Sequence, residues 1–415
     1  MYLRKYKPMI IAVTGNAGKT STKDAIGAVV GKVKPVRVAV GNLNSTLGVP
    51  LTILGDFGDE YYSKGPSKLF WLKVLFVSSF KLVFGQTYPE VLVLEYGADH
   101  PGDIKNLAEK YPPHVSVVTT VGDVPVHVEF FKDADAVGNE KANLVRVLGT
   151  DDFAILNHDD RRVFGMKSQT KAKVTTYGFD VDSTIRASDV EYVSNELGQP
   201  LGVTFKLNHG STFAPVRIEG SLGKSQAITS AAAATVGLAL GMNLVEISSA
   251  LSGYQGPNGR LKILRGIKNS NIIDDTYNAS PASTKLALET LRDVPSIRKI
   301  AVLGDMLELG EYTESAHKEI GKLASEFVDV LVCVGARAKF IAEAASVKLS
   351  SEQIFTFETS HEAKLKVQEL IREHDLVLVK GSQGVRMEKI VEEIMAEPEN
   401  KRKLLIRQSA KWLAK

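Results

Sequence analysis

The run Met9-Ile-Ile-Ala-Val-Thr-Gly-Asn-Ala-Gly-Lys-Thr-Ser-Thr22 constrains the fold more than any other stretch, because an apolar segment feeds a glycine-flanked turn and then a Lys-Thr pair. Met9 to Val13 predicts a buried strand. Gly15 and Gly18 let the backbone curl so that successive N–H groups converge on one concave spot, where anions collect. A helix predicted from about Ser21 points the positive end of its dipole at the same place. Thr14, Gly15, Asn16, Ala17, Gly18, Lys19, Thr20 and Ser21 therefore form a candidate phosphate cradle. In it Lys19 reaches the terminal phosphates of ATP and Thr20 sets its hydroxyl on a magnesium ion. The spacing is a variant: the strict pattern places its first glycine where this chain has Val13. An ordinary strand-to-helix turn is the alternative for this segment taken alone.

Downstream, short apolar strands alternate with helical patterns, which predicts an α/β fold built on a mostly parallel sheet with helices on both faces. Strands are expected at Val91 to Glu95 and Val115 to Thr119, and helices at Lys23 to Val33, Gly102 to Glu109 and Asp133 to Leu148. Between about Thr175 and Gly220 short β-like runs separated by polar turns predict an antiparallel extension. Helices follow at Ser225 to Leu240 and Val245 to Leu251. The cluster Gly253-Tyr-Gln-Gly-Pro-Asn-Gly259 reads as a boundary. It divides the 415 residues into a P-loop-type nucleotide-binding domain (1–255) and a Rossmann-like α/β domain (256–415). Strands of the second are expected at Asn271 to Asp274, Lys299 to Leu303, Val328 to Val334 and Leu376 to Lys380. In sheets of this kind, ligands bind at the carboxyl ends of the strands.

Lys and Arg number 51 against 48 Asp and Glu, a net charge of +3 that leaves no electrostatic footprint for nucleic acid. The single cysteine, Cys333, lies in an apolar run, so intrachain disulfides and multi-thiolate metal sites are excluded and a reducing cytoplasm fits. The N-terminus lacks the cleavage pattern of a signal peptide. Leu69 to Phe84 is shorter than the ~20 residues of a membrane span and carries Lys73 and Lys81. It predicts an amphipathic helix that either packs against the sheet or docks on the inner membrane face. The basic tail, Lys401 to Lys415, is expected to end in a helix.

Glu95 closes the strand Val-Leu-Val-Leu-Glu, so a carboxylate emerges where the phosphates of a bound nucleotide would lie. A buried, unpaired carboxylate is costly, and magnesium, which takes oxygen ligands and bridges to phosphate, supplies a partner. A strand-end glutamate facing solvent is the plain alternative. His127 follows the next strand and can reach the same place, although a loop histidine taken alone is more often structural.

Four segments carry a resemblance to a known family: Thr14-Gly-Asn-Ala-Gly-Lys-Thr-Ser-Thr-Lys-Asp24, Gly41-Asn-Leu-Asn-Ser-Thr-Leu-Gly-Val-Pro50, Leu94-Glu-Tyr-Gly-Ala-Asp-His-Pro-Gly-Asp103 and Asp274-Asp-Thr-Tyr-Asn-Ala-Ser-Pro281. Together they resemble the Mur ligases over nearly the whole chain. Leu303-Gly-Asp-Met-Leu-Glu-Leu-Gly-Glu311 with His317, and Leu378-Val-Lys-Gly-Ser382 leading into Gln383-Gly-Val-Arg386, are similar to the branch that adds D-alanyl-D-alanine. The resemblance implies that ATP phosphorylates the terminal carboxylate of a nucleotide-linked muramyl peptide. An incoming amine, D-Ala-D-Ala, then displaces phosphate to form an amide. It further implies that His127 joins Glu95 around a second magnesium and that Lys141 holds metal through a carbamate; spacing alone would make Lys141 a solvated helix lysine. Arg260, Asp275 and Asn278 are implied to lie near the ribose and phosphates. Asp305 to Glu311 should face the cleft and help hold the dipeptide, or else cap a helix.

The family's first domain, which grips the uridine nucleotide, is expected to be absent, since eight residues precede the phosphate-loop strand. Gly223-Lys-Ser-Gln-Ala-Ile-Thr229 departs from the family pattern, as does Asn258 within the Pro-Gly-Arg signature. A related ligase acting on another carboxylate, as folylpolyglutamate and cyanophycin synthetases do, is the second expectation. A nucleotide-binding protein without turnover is the third, and the intact set Lys19, Glu95, His127 and Lys141 counts against it.

Overall fold

The computed structural model describes residues 1–123 and 130–413. Among these, the strands form two sheets. The first contains β1 (Met9–Thr14), β2 (Val36–Val38), β3 (Val91–Glu95), β4 (Val115–Val118), β5 (Phe153–Asn157), β6 (Lys173–Gly178), β7 (Ile185–Ser194), β8 (Pro200–His209) and β9 (Thr212–Glu219). Their order across the sheet is β2-β3-β1-β4-β5-β6-β7-β8-β9. β1 pairs in parallel with β3 on one side and β4 on the other. Ile10 to Val13 are consequently at most 3% exposed, as a continuous apolar run requires when both faces are covered.

The pairing changes beyond β6. β7, β8 and β9 run antiparallel to one another, and β9 alternates buried Ala214, Val216 and Ile218 with exposed Pro215, Arg217 and Glu219. That period of two marks a sheet with one wet face. Lys224–Ala239 is a helix whose Ala231 to Ala234 are fully buried. Small side chains let it approach the helix Lys19–Val30 closely. A Cβ on Gly237 would stand 2.9 Å from Val29 and Ile247.

The second sheet contains β10 (Lys262–Arg265), β11 (Asn271–Asp275), β12 (Lys299–Gly304), β13 (Val330–Val334), β14 (Ile354–Phe357) and β15 (Leu376–Lys380). Its order is β10-β11-β15-β12-β13-β14, parallel except for β10. Asp275 and Lys380 pair in register at the carboxyl ends of neighbouring strands. Cys333 is buried in β13, where desolvation pushes its thiol well above the usual range.

Three expectations need correction. The helix after the phosphate turn begins at Lys19, not Ser21, because Gly18 at φ 81° serves as its N-cap, and it ends at Val30 rather than Val33. Among the described residues, the helix Lys68–Phe84 meets the core of the first sheet only through Leu82, near its end. Phe70 and Val74 instead join Leu43, Leu51 and Phe57 in a satellite cluster. Asp305 does not face the cleft, as described below. Among the described residues, no helix is long and apolar enough to cross a membrane.

Candidate active site

The phosphate turn is held in shape by strand β4 and its exit. Thr119 Oγ1 donates to the carbonyls of Thr14 (3.1 Å) and Ala17 (2.6 Å), and the Asn16 N–H donates to Thr120 O. Gly15 lies at φ 147°, and a Cβ there would fall 1.9 Å from Thr119 Oγ1, so the turn requires glycine. Lys19 Nζ sits over the curl, 2.8 Å from Gly15 O and 3.3 Å from Asn16 O. Desolvation pushes its ammonium below lysine's ordinary range, and the negative charge of Glu95 opposes that shift. Ser21 turns its carbonyl to the Tyr254 hydroxyl, 3.2 Å away.

Glu95, 1% exposed at the end of β3, is satisfied from three directions. Thr20 Oγ1 donates to its Oε2 at 3.0 Å, Asn44 Nδ2 donates to its Oε1 at 3.0 Å, and the Lys23 ammonium lies 3.9 Å from Oε2. Glu95 is therefore not a solvent-facing strand end. The Thr20 hydroxyl and the Glu95 carboxylate are hard oxygen donors beside the cradle, a set that suits a magnesium ion also taking phosphate oxygens. Among the described residues no cluster of three or more His, Cys, Asp or Glu is positioned to hold a metal. His127 lies outside the described residues.

Lys141 is 3% exposed on the helix Ala134–Arg146. The preceding residue fixes that helix: Glu140 accepts from the N–H groups of Gly102 (2.9 Å) and Ile104 (2.8 Å), at the start of the helix Asp103–Lys110. A carboxylate at a helix N-terminus is well placed electrostatically. Burial, reinforced by the charge of Lys19, pushes the Lys141 amine down to about 7. The solvated-lysine alternative does not describe it.

The opposite wall comes from the second sheet. A cavity of about 650 Å³ is lined by Asn16, Ala17 and Lys19 on one side and by Arg260, Asn278 and Gln383 on the other. Arg260 stacks over the Tyr277 ring, 4.0 Å from its centroid, and its buried Nε has no hydrogen-bond partner among the described residues. A narrower slot of about 140 Å³ continues from Gly18 and Ser21 past Thr120, Tyr177 and Gln226 to Asp275. Asp275 is tied up locally. Its Oδ2 accepts from Lys380 Nζ at 2.6 Å and its Oδ1 from the Leu261 N–H at 3.2 Å. Lys380 also donates to Asn278 O at 2.8 Å. Burial pushes the Lys380 ammonium below its ordinary range, and Asp275 opposes the shift.

Asp305 is spent on structure. Its Oδ1 accepts from the N–H groups of Arg337 (2.9 Å) and Ala338 (2.7 Å), which caps the turn after β13. His317 is equally internal: Nε2 accepts from the Met306 N–H at 3.0 Å and Nδ1 donates to Thr313 O. What these two hold in place is the segment Leu307 to Leu309, which does line the cavity.

Residues 76–235 match the Mur ligase middle domain and residues 259–383 the Mur ligase glutamate ligase domain. The chain belongs to the Mur ligase family. It is similar to the UDP-N-acetylmuramoyl-tripeptide D-alanyl-D-alanine ligase of Bacillus subtilis, with 29% identity covering 96% of this chain and 78% of that one. Among solved structures, MurF from Acinetobacter baumannii aligns with a TM-score of 0.74 and 25% identity, over 94% of this chain and 77% of that one. MurF from Thermotoga maritima in complex with ADP shares the fold, with a TM-score of 0.78 and 24% identity over 96% and 82% of the two chains. As a Mur ligase the chain is an ATP-dependent ligase, and Arg260, Asn278 and Gln383 of the far wall fall within the matched glutamate ligase domain.

Sequence reasoning passed over Asn44, Lys23 and Lys380 in this ligase. Lys380 carried a legible signal, since a charged residue closing an apolar parallel strand is the same cue that singled out Glu95. Asn44 and Lys23 lie inside two of the segments that carry the family resemblance, but nothing local marks their contact with Glu95, which sits on a strand distant in sequence from both.

Proposed function

We propose that this ligase joins D-alanyl-D-alanine to the terminal carboxylate of a UDP-muramyl peptide in the cytoplasm, through an acyl phosphate. Residues 1–255 bind the nucleotide phosphates and residues 256–415 close over them. One observation carries the reading: Lys19, with the Thr20 and Glu95 pair behind it, opens on a cavity whose far wall is cationic Arg260. Positive charge on both sides screens the repulsion between an attacking carboxylate and the γ-phosphate. The fork of Arg260 suits a phosphate oxygen. Thr20 and Glu95, with His127 and a carbamate on Lys141, would hold magnesium, which supplies charge neutralisation at the transferring phosphoryl group. The near-neutral amine of Lys141 supports the carbamate, since only an unprotonated amine adds to carbon dioxide.

The acceptor fits a third cavity, of about 1200 Å³, lined by Asn42, Asn44, Tyr62, Tyr277, Arg407 and Trp412. Aromatic faces and a cation suit an anionic nucleotide sugar, and Asn44 links this groove to Glu95. Phosphate release from ATP tests the proposal. It should require UDP-N-acetylmuramoyl-tripeptide and D-Ala-D-Ala together. Release driven instead by L-glutamate and a folate, or by neither pair, would overturn the assignment of substrates.

A further inference from the structure

The helix Lys68–Phe84 has an apolar face that neither the core nor the ligase site uses. Leu69, Leu72, Phe76, Phe80 and Val83 follow one another at intervals of three and four residues, so they form one stripe along its length. They are joined at its edges by Leu75 and Phe84, and all seven are between 57% and 77% exposed. The opposite face, with Phe70 and Val74, is already packed. A helix apolar on both sides needs a second covering.

Charge decides what the covering is. The helix carries Lys68, Lys73 and Lys81 and no acidic residue. The short helix Tyr2–Tyr6 lies across its far end: Tyr2 Oη donates to Ser78 O at 2.6 Å, Lys5 Nζ to Leu82 O at 2.6 Å and Tyr6 Oη to Gly85 O at 2.9 Å. It adds exposed Arg4, Lys5 and, at its C-cap, Lys7. On the acidic side, Glu60 bridges to Lys73, and Asp59 is exposed nearby. A second copy of this chain laid on the stripe would set one row of lysines against another, which like charges oppose. An anionic bilayer meets both halves of the pattern, with acyl chains for the leucines and phenylalanines and headgroup phosphates for the cations.

We propose that this face docks the protein on an anionic lipid surface, the helix lying in the headgroup plane. The helix begins two residues beyond Pro66, which lines the 1200 Å³ groove. Docking therefore sets the rim of that groove beside the membrane, whatever the groove binds.

The full chain is floated with vesicles of phosphatidylglycerol and phosphatidylcholine in equal parts, and with phosphatidylcholine alone. It should rise with the mixed vesicles, more weakly with the neutral ones, and less as salt is added. Phe76→Glu with Phe80→Glu should lower partitioning at least about tenfold, because the charge lands in the apolar stripe. A milder pair, Leu72→Gln with Val83→Gln, should lower it in the same direction. Both pairs should keep the parent melting temperature, since all four side chains are exposed. Lys68→Glu with Lys81→Glu should erase the preference for phosphatidylglycerol. Parent protein left at the bottom with both vesicle types overturns the proposal, as does unchanged flotation of the Phe76 and Phe80 pair. So does a parent dimer that these substitutions convert to a monomer in the absence of any vesicle binding.

Discussion

Replacing Gly15 by alanine tests the phosphate turn where its geometry is tightest. The φ of 147° is a conformation that side chains rarely adopt, with a strain of roughly 1–3 kcal/mol. The new Cβ would also stand 1.9 Å from Thr119 Oγ1 and 3.0 Å from Thr120 N. Thr119 cannot swing away without giving up its bonds to Thr14 O and Ala17 O. Overpacking of this kind costs about 1–3 kcal/mol, so Gly15→Ala should lose about 4 kcal/mol in all, or lift the turn and lose nucleotide affinity instead. Thr119→Ala alone should cost about 1–2 kcal/mol through lost hydrogen bonds. It also removes the nearest obstacle, so the double variant should exceed the sum of the singles in stability by about 1–2 kcal/mol. Urea unfolding of the four proteins measures the cycle, and titration with a fluorescent ADP analogue measures affinity. Losses that add to within about 0.5 kcal/mol, or a Gly15→Ala protein that keeps both the parent stability and full affinity, would refute the contact between the two segments.

Lys19→Ala should abolish acceptor-dependent phosphate release while leaving the urea midpoint near that of the parent; release at the parent rate would exclude the lysine from phosphate binding. For Lys141, neutral amine accumulates as pH rises through about 7, so reactivation of carbon dioxide-stripped protein by bicarbonate, at fixed dissolved carbon dioxide, should level off above pH 8. A rate still climbing tenfold per pH step beyond that would mean an ordinary lysine. His317 is held neutral by burial, with its folded pKa below the unfolded 6.5. The unfolded chain then takes up the proton first, so stability should be intact above pH 6.5 and fall as pH drops through it toward the folded value. His317→Gln should flatten that fall between pH 7 and 5, as read from urea midpoints.

The elements most legible in the sequence were those whose signal is local. Met9 to Val13 and Val91 to Glu95 announce buried parallel strands by unbroken apolar runs, and the short β-like runs between Thr175 and Gly220, parted by polar turns, announce the antiparallel extension that holds β7 and β8. β2, only Val36–Val38, has no run long enough to read, and the amphipathic helix read at Leu69 to Phe84 left open whether its apolar face packs on the sheet or on a membrane, because composition does not say what covers it. Within the site, Glu95 could be found because a carboxylate at a strand end is conspicuous. Asp305 looked similar, after the apolar strand β12, yet serves a turn. The difference rests on two N–H groups at Arg337 and Ala338, which no pattern around residue 305 reveals.

Lys19 and Arg260 meet across a cavity whose two walls are carried by separate sheets. A ligand gripping both walls acts as a clamp screw: part of its binding energy goes into holding the halves in register and does not appear as affinity. Stiffening the linker near Gly253 to Gly259 in the clamped posture should therefore tighten nucleotide binding and slow the departure of products, with every contact to the nucleotide unchanged.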